Sequence, residues 1–152
     1  MGEAEFVREM EKLFEDHPMQ KESFEKVLLY EISSVEFYSS RGSESPGASM
    51  TNLGRGVNWI WMNISHPEYK MDESFAHEVA HIYYMKRISR IFNKHKRALY
   101  EDSWTGTSNA CEEDLIEWSA VRFCRENPGY VSGVLSDIIL GNGYRHIRIT
   151  YR

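Results

Sequence analysis

The sequence has few of the residues that mark secreted, disulfide-stabilised domains. It contains only two cysteines, Cys111 and Cys124, in 152 residues. If both lie on one helix, a rise of about 1.5 Å per residue separates them by nearly 20 Å, whereas a disulfide needs Cα atoms within roughly 7 Å. Because unpaired thiols are typical of a reducing compartment, we expect a cytoplasmic protein.

Long apolar runs and an excess of positive charge are also missing. No apolar stretch approaches the roughly 18 residues of a membrane-spanning helix, and the first residues, MGEAEFVREM, lack the apolar core of a signal peptide. The formal net charge is −5, whereas domains that bind duplex nucleic acid carry a basic surface. We therefore expect no membrane span and no direct contact with nucleic acid. The one basic run, residues 86–97, is interpreted as a solvated helix face.

What the sequence does contain is the pattern of a single α+β domain. Apolar positions at helical spacing on both sides of His17-Pro18 predict two helices within residues 1–31. A strand is predicted at 33–40. Two further strands around Gly54-Arg55-Gly56 form a predicted hairpin, whose second strand runs from Val57 to Ile64.

The second half of the chain is predicted to be mainly helical. A long helix covers 72–91, with Asp72 as its N-cap, and a second helix covers 110–125, with Asn109 as its N-cap. A short helix and a final strand, 130–140 and 144–151, end the chain. The predicted units are N-terminal helices (1–31), a core (33–128) and a C-terminal helix and strand (129–152).

The segment SFAHEVAHIYY, residues 74–84, carries the strongest chemical signal. His77 and His81 are four residues apart, so on a helix they lie one turn apart on the same side and can reach one ion. Catalytic zinc sites have three protein ligands and one open position, and zinc accepts imidazole nitrogen. Glu78 follows His77 directly and can act on a water held by that ion. The spacing predicts a zinc site with Glu78 as its general base.

The helical wheel of this segment separates an apolar arc from the two histidines. Phe75, Val79 and Ile82 form the centre of the arc, which Ala76, Ala80 and Tyr83 widen. We therefore predict that the arc packs in the core while the histidines face a neighbouring element.

The third ligand must come from elsewhere in the chain. A metzincin would need glycine and histidine where Tyr84 and Arg87 stand, and a deformylase-like site would need an upstream cysteine, which the sequence lacks. The segment NACEEDLIEWSAVRFC, residues 109–124, is the remaining source. Its acidic residues are Glu112, Glu113, Asp114 and Glu117.

These four acids are not equivalent. Glu112 is predicted to close a capping box on Asn109, and Asp114 to point away from the metal. Glu113 and Glu117 lie one turn apart, so one can bind the ion while the other accepts a hydrogen bond from the far nitrogen of a ligand histidine. We predict Glu113 as the ligand and Glu117 as the orienting residue, with the reverse assignment open.

Together these motifs resemble the ImmA/IrrE-type zinc peptidases, a gluzincin-like family. The resemblance covers about residues 33–128. WIWMNISHPEYKMDESFAHEVAH resembles the family's strand, linker and Ala-His-Glu-x-x-His helix. EDLIEWSAVRFC resembles its glutamate helix, although Ile116 and Ser119 depart from the pattern and a shifted match would make Glu117 the ligand.

The resemblance implies a zincin-like α+β fold. A small sheet of three or four strands would pack on the HExxH helix and the glutamate helix, and the site would hold one Zn²⁺. It also implies a peptidase acting on a protein substrate, of which a helix-turn-helix repressor is the example that the family offers, since several of its members cleave such repressors. The alternative is a non-catalytic zinc-bearing interaction module, such as an antirepressor or an antitoxin-like partner.

Two further sets of residues are considered for substrate binding. Trp59 and Trp61 are predicted as core residues rather than as walls of a substrate subsite. Tyr144 and His146, on the last predicted strand, are candidate donors to the oxyanion of a tetrahedral intermediate, although a surface role is favoured for both.

Overall fold

A computed structural model describes residues 3–39, 47–50, 58–65, 70–85 and 105–152, which form an α+β structure. Its helices are α1 (Glu3–Asp16), α2 (Lys21–Tyr30), α3 (71–85), α4 (Thr105–Glu126) and α5 (Tyr130–Leu140). Its strands are β1 (Ile32–Tyr38), β2 (Gly47–Met50), β3 (Asn58–Asn63) and β4 (Arg148–Tyr151). The predicted α+β class is confirmed.

The four strands form one mixed sheet in the order β2-β3-β1-β4. Strand β1 is parallel to both β3 and β4, with Val35 opposite Ile60 and Ile149. Strand β2 is antiparallel to β3, with Met50 opposite Trp59. This pairing confirms the predicted hairpin, although its turn at Gly54-Arg55-Gly56 lies outside the described residues.

One face of the sheet covers the core. Val35 and Phe37 of β1 and Ile60 and Met62 of β3 are buried, as expected for strands whose alternate side chains point to one face. The same alternation places Trp59 on the other face, where 41% of it is exposed. The prediction that Trp59 belongs to the core is therefore wrong, and Trp61, on the same face as Trp59, is only half-buried.

The apolar arc of α3 packs in that core, as predicted. Its members, which are all buried, are Phe75, Ala76, Val79, Ala80, Ile82 and Tyr83. They join the inner face of the sheet and the apolar residues of α1, α2, α4 and α5 in a single cluster. The histidines of α3 are consequently held on a helix whose rotation is fixed by the burial of its opposite side.

Both predicted N-caps are wrong. Helix α3 already includes residue 71, and Asp72 is inside its first turn, where its carboxylate accepts a hydrogen bond from the Glu73 N–H at 2.9 Å. Helix α4 begins at Thr105, so Asn109 is inside it and the predicted capping box with Glu112 cannot form. Tertiary packing extends a helix over residues of modest propensity, which the local sequence does not reveal.

The last strand is shorter than predicted. It begins at Arg148 rather than at Tyr144, because Tyr144 has a φ of 53° and lies in the left-handed region, which an extended strand cannot accommodate. The predicted end of α3 and the basic run at 86–97 lie outside the described residues. Within the part of the chain that is described, no helix is long and apolar enough to cross a membrane.

Aromatic contacts join the N-terminal helices to the site helices. Phe24 of α2 stacks on Phe123 of α4, with ring centroids 4.7 Å apart and planes 7° apart. Phe24 also makes edge-to-face contacts with Phe75 of α3, at 6.2 Å between ring centroids, and with Tyr130 of α5, at 5.7 Å. Phe24 therefore touches three helices and is completely buried.

We expect Phe24→Ala to lower the free energy of unfolding by about 3–5 kcal/mol, the usual cost of removing a buried phenylalanine. Tyr30→Ala, on the same helix, is the matched control because Tyr30 is 72% exposed, and it should change stability by about 0.5 kcal/mol or less. Urea denaturation followed by circular dichroism measures both. Equal losses in the two variants would contradict the role given to Phe24.

Candidate metal centre

Helix α3 presents two histidines to one point. His77 and His81 are four residues apart and lie one turn apart on the same side of the helix. Their rings are 4.8 Å apart between centroids, and their Nε2 atoms are 3.2 Å apart. Each side chain remains partly exposed. The helical spacing thus places two imidazole nitrogens within reach of one cation.

Helix α4 brings Glu113 to the same point. Its Oε2 is 3.1 Å from Nε2 of His77, and its Oε1 is 2.9 Å from Nε2 of His81. The candidate ligand atoms of His77, His81 and Glu113 all lie within 4.8 Å of one another, and the three residues can hold a metal ion. Two imidazoles and one carboxylate are a ligand set found in catalytic zinc sites.

Glu117 contacts the other nitrogen of the first histidine. Its Oε2 is 2.6 Å from Nδ1 of His77, so the Nδ1–H donates to this carboxylate. That hydrogen bond leaves Nε2 as the nitrogen that faces His81 and Glu113. Glu117 therefore selects the tautomer and orientation that a metal ligand requires.

The charges around His77 favour a cation. Burial disfavours protonation of the ring, but the hydrogen bond to Glu113, the charge of Glu78 and the hydrogen bond to Glu117 together raise its pKa to about 9. In return, hydrogen bonds from His77 and His81 hold the pKa of Glu113 far below its usual range. The negative potential that stabilises an imidazolium would also stabilise a divalent ion.

Glu78 lies beside this group in a much drier position. It directly follows His77 and is 5% exposed. A carboxylate in such surroundings is shielded from bulk solvent and has fewer water molecules competing for its oxygens. Its charge also contributes to the raised pKa of His77.

The remaining acids of α4 do not join the ligand group. Asp114 is exposed and Glu112 is half-buried, and neither belongs to the group formed by His77, His81 and Glu113. Cys124, further along the stripe of Glu113 and Glu117, has a free thiol. Burial, with the charges of nearby acids, raises its pKa to about 12, so the thiol stays protonated at neutral pH.

The two candidate oxyanion donors are bonded to α2. The hydroxyl of Tyr144 donates to Glu25, at 2.7 and 2.9 Å from its two oxygens. Nε2 of His146 is 2.8 Å from the carbonyl oxygen of Leu28. Both side chains thus help to attach the C-terminal segment to α2, and their predicted role gains no support from these contacts.

Sequence reasoning missed one polar contact next to the site. Tyr84 and Ser119 share a buried hydrogen bond between α3 and α4. In the sequence, Tyr84 stands out only as a departure from the metzincin pattern, and Ser119 only as a departure from the glutamate helix of the ImmA/IrrE-type peptidases. The signal that could have found Tyr84 is its spacing, seven residues after His77, which returns to the same side of the helix after two turns.

Comparisons with protein-family models, with curated proteins and with solved structures returned no match. The functional assignment therefore depends on the geometry of the site and on the motifs of the sequence.

The ligand assignment predicts different zinc contents for two single variants. We expect Glu113→Ala to lose bound zinc, because it removes a ligand atom. Glu117→Ala should keep zinc with about 10- to 100-fold lower affinity, the usual effect of removing a residue that orients a ligand. Asp114→Ala, which removes an exposed carboxylate from the same helix, is the control and should bind zinc like the wild type. Elemental analysis after dialysis measures the content, and equal retention in the first two variants would refute the assignment.

A second prediction concerns the metal-free protein. The pKa of His77 is raised from 6.5 to about 9, so its stabilising effect is complete below about pH 6.5 and is lost as pH rises through 9. Glu113 acts in the opposite direction. Because its pKa is lowered, its contribution to stability is present above about pH 4.5 and is lost as the pH falls into the acid range. We expect the urea midpoint, measured with chelator present, to decrease between pH 6.5 and 9.

The control for this prediction is His77→Asn, in which the decrease over that range should be smaller. An identical decrease in the variant and the wild type would assign the pH dependence to other groups.

Proposed function

We propose that this protein is a zinc-dependent peptidase that hydrolyses a peptide bond in a protein substrate. The observation that carries the proposal is the convergence of His77, His81 and Glu113, from two helices, next to the buried carboxylate of Glu78. A binding site for a structural ion needs the ligands but no such acid. The pattern H-E-x-x-H is the one that metallopeptidases use.

Zinc is the metal that best fits the ligand types. Two imidazole nitrogens and one carboxylate match the preference of Zn²⁺ for nitrogen and oxygen donors. Three protein ligands also leave a position for a water or a substrate oxygen. When bound, the ion would act as a Lewis acid that lowers the pKa of a water molecule and polarises a carbonyl group.

The protein's own residues have separate tasks in this proposal. His77, His81 and Glu113 would hold the ion, and the hydrogen bond between Nδ1 of His77 and Glu117 keeps Nε2 directed toward Glu113 and His81. Glu78 accepts a proton from the attacking water and delivers it to the leaving amine. Because Glu78 is buried beside its neighbour His77, it is protected from exchanging that proton with bulk solvent.

The proposed fold and substrate follow from the resemblance to the ImmA/IrrE-type peptidases. The mixed sheet, the helix with both histidines and the helix with Glu113 are compatible with a zincin-like arrangement. A helix-turn-helix repressor is the first substrate to test, since several members of that family cleave such proteins. A cytoplasmic location is part of the same proposal.

The alternative is a zinc-bearing interaction module without turnover. The specific observation in its favour is that the ligand group requires only His77, His81 and Glu113, so the site can bind a metal without performing hydrolysis. The two functions differ in what Glu78 does, which makes this residue the point of discrimination.

We expect Glu78→Gln to bind zinc like the wild type and to lose peptidase activity by about 10²- to 10⁴-fold, the usual contribution of a positioned general base. Zinc-loaded proteins are incubated with a repressor of the helix-turn-helix class and with a peptide library derived from a proteome. New amino termini are then labelled and identified by mass spectrometry.

Glu73→Gln is a control because Glu73 belongs to the first turn of α3 and forms a surface ion pair with Lys70 at 4.0 Å. It should cleave like the wild type. Stoichiometric zinc without any new amino terminus in the wild-type sample would favour the interaction module instead.

A further inference from the structure

We propose that Tyr84 and Ser119 are a positioning pair that sets the distance between the two helices of the metal centre. The inference rests on the proposed metal site, but it does not depend on the reaction that the site performs. Neither residue is a ligand. The pair acts through the placement of Glu113 relative to His77 and His81.

The pair is a buried hydrogen bond between neutral side chains. The hydroxyl oxygens of Tyr84 and Ser119 are 2.9 Å apart, and the two residues are 1% and 5% exposed. At such low exposure, water cannot easily replace a lost partner, and a hydroxyl left alone is costly. The contact therefore favours one relative position of α3 and α4 over its neighbours.

Its place in the helices relates it to the ligands. Tyr84 is three residues after His81 and seven after His77, so all three lie on one side of α3. Ser119 is two residues after Glu117, on the buried side of α4 with Ile116 and Phe123. The hydrogen bond thus connects the same two helices as the imidazole–carboxylate contacts, one turn beyond the last histidine.

Helix α1 also contacts the ring of Tyr84. The ring of Phe14, in α1, stacks on the ring of Tyr84 with centroids 4.1 Å apart and planes 28° apart. Because the ring of Tyr84 also packs on Phe14, a movement of the tyrosine with a displaced serine would disturb α1 as well.

The pair differs from the ligand contacts in its independence of charge. The contacts of His77 and His81 with Glu113 change with protonation and with the presence of an ion. Burial raises the pKa of Tyr84 to about 12, so its hydroxyl stays neutral over the range in which the histidines titrate. The spacing of the helices is therefore maintained whether or not the ligands carry a proton.

A metal centre is sensitive to this spacing. Ligand distances must agree with the preferred values within about 0.2 Å, and a site loses affinity when its supporting residues allow larger displacements. Since Glu113 is the ligand from α4, a small shift of α4 relative to α3 changes its distance to both histidines together.

The experiment compares Tyr84→Phe, Ser119→Ala and the double variant with Tyr130→Phe in the full chain. Tyr130→Phe is the matched control because it removes the same atom from a hydrogen bond, 2.7 Å long, to Glu25, which belongs to α2. Affinity for Zn²⁺ is measured by competition with a chromophoric chelator, and the site geometry by the visible spectrum of bound Co²⁺. Urea midpoints with chelator present report the stability of each variant.

We expect Tyr84→Phe and Ser119→Ala each to weaken Zn²⁺ binding about tenfold, within the range seen for residues that support metal ligands, and to alter the Co²⁺ spectrum. The double variant should be no weaker than the worse single variant, because both changes break one contact. Tyr130→Phe should keep the wild-type affinity and spectrum even if its stability falls. If Tyr84→Phe does not fold, the smaller change Ser119→Ala provides the test alone.

Three results would overturn the inference in distinguishable ways. Wild-type affinity and spectrum in Ser119→Ala and in any folded Tyr84→Phe would show that the pair does not position the ligands. An equal loss of affinity in Tyr130→Phe would show that weaker Zn²⁺ binding results from a general loss of stability and not from the position of the ligands. Failure of the wild-type protein to bind either ion would refute the metal site, and this inference with it.

Discussion

The contact between the imidazole of His77 and two carboxylates of α4 is the interaction on which the candidate site depends. One nitrogen is 2.6 Å from Glu117 and the other 3.1 Å from Glu113, so the ring is fixed at both ends. Because Glu117 contacts Nδ1 of His77, Glu113 is the carboxylate that contacts both His77 and His81 at Nε2. If α4 rotated by one residue, about 100°, Glu113 and Glu117 would both lose their contacts with His77. The two histidines and a carboxylate would then no longer converge.

The core makes that rotation unfavourable. Ile116, Ala120 and Phe123 are buried on the side of α4 that packs inward, and Phe123 stacks against Phe24 of α2. Turning the helix would expose these apolar groups, at about 25 cal/mol for each Å² brought to water. The N-terminal helices, which supply no candidate ligand, therefore contribute to the site by fixing the rotation of the helix that does.

The local sequence predicts that the two histidines of α3 lie together, but it does not decide which carboxylate of α4 completes the site. The spacing of His77 and His81 within one helix, and the burial of the opposite arc, depend only on helical periodicity. The choice between Glu113 and Glu117 depends on how α4 crosses α3, which is a tertiary property. The same limit explains the errors at Asp72, Asn109 and Tyr144, where backbone geometry or packing moved the end of an element.

The geometry also explains why adjacent acids on one stripe need not be interchangeable. Glu113 approaches the Nε2 atoms of both histidines, whereas Glu117 approaches Nδ1 of His77. If Glu117 were the ligand, His77 would have to turn its Nδ1 to the ion and lose the hydrogen bond that fixes its ring. His81 would then share no carboxylate with it. The assignment that keeps the hydrogen bond between Nδ1 of His77 and Glu117 has Glu113 as the candidate ligand, because the Glu113 carboxylate faces the Nε2 atoms of both histidines.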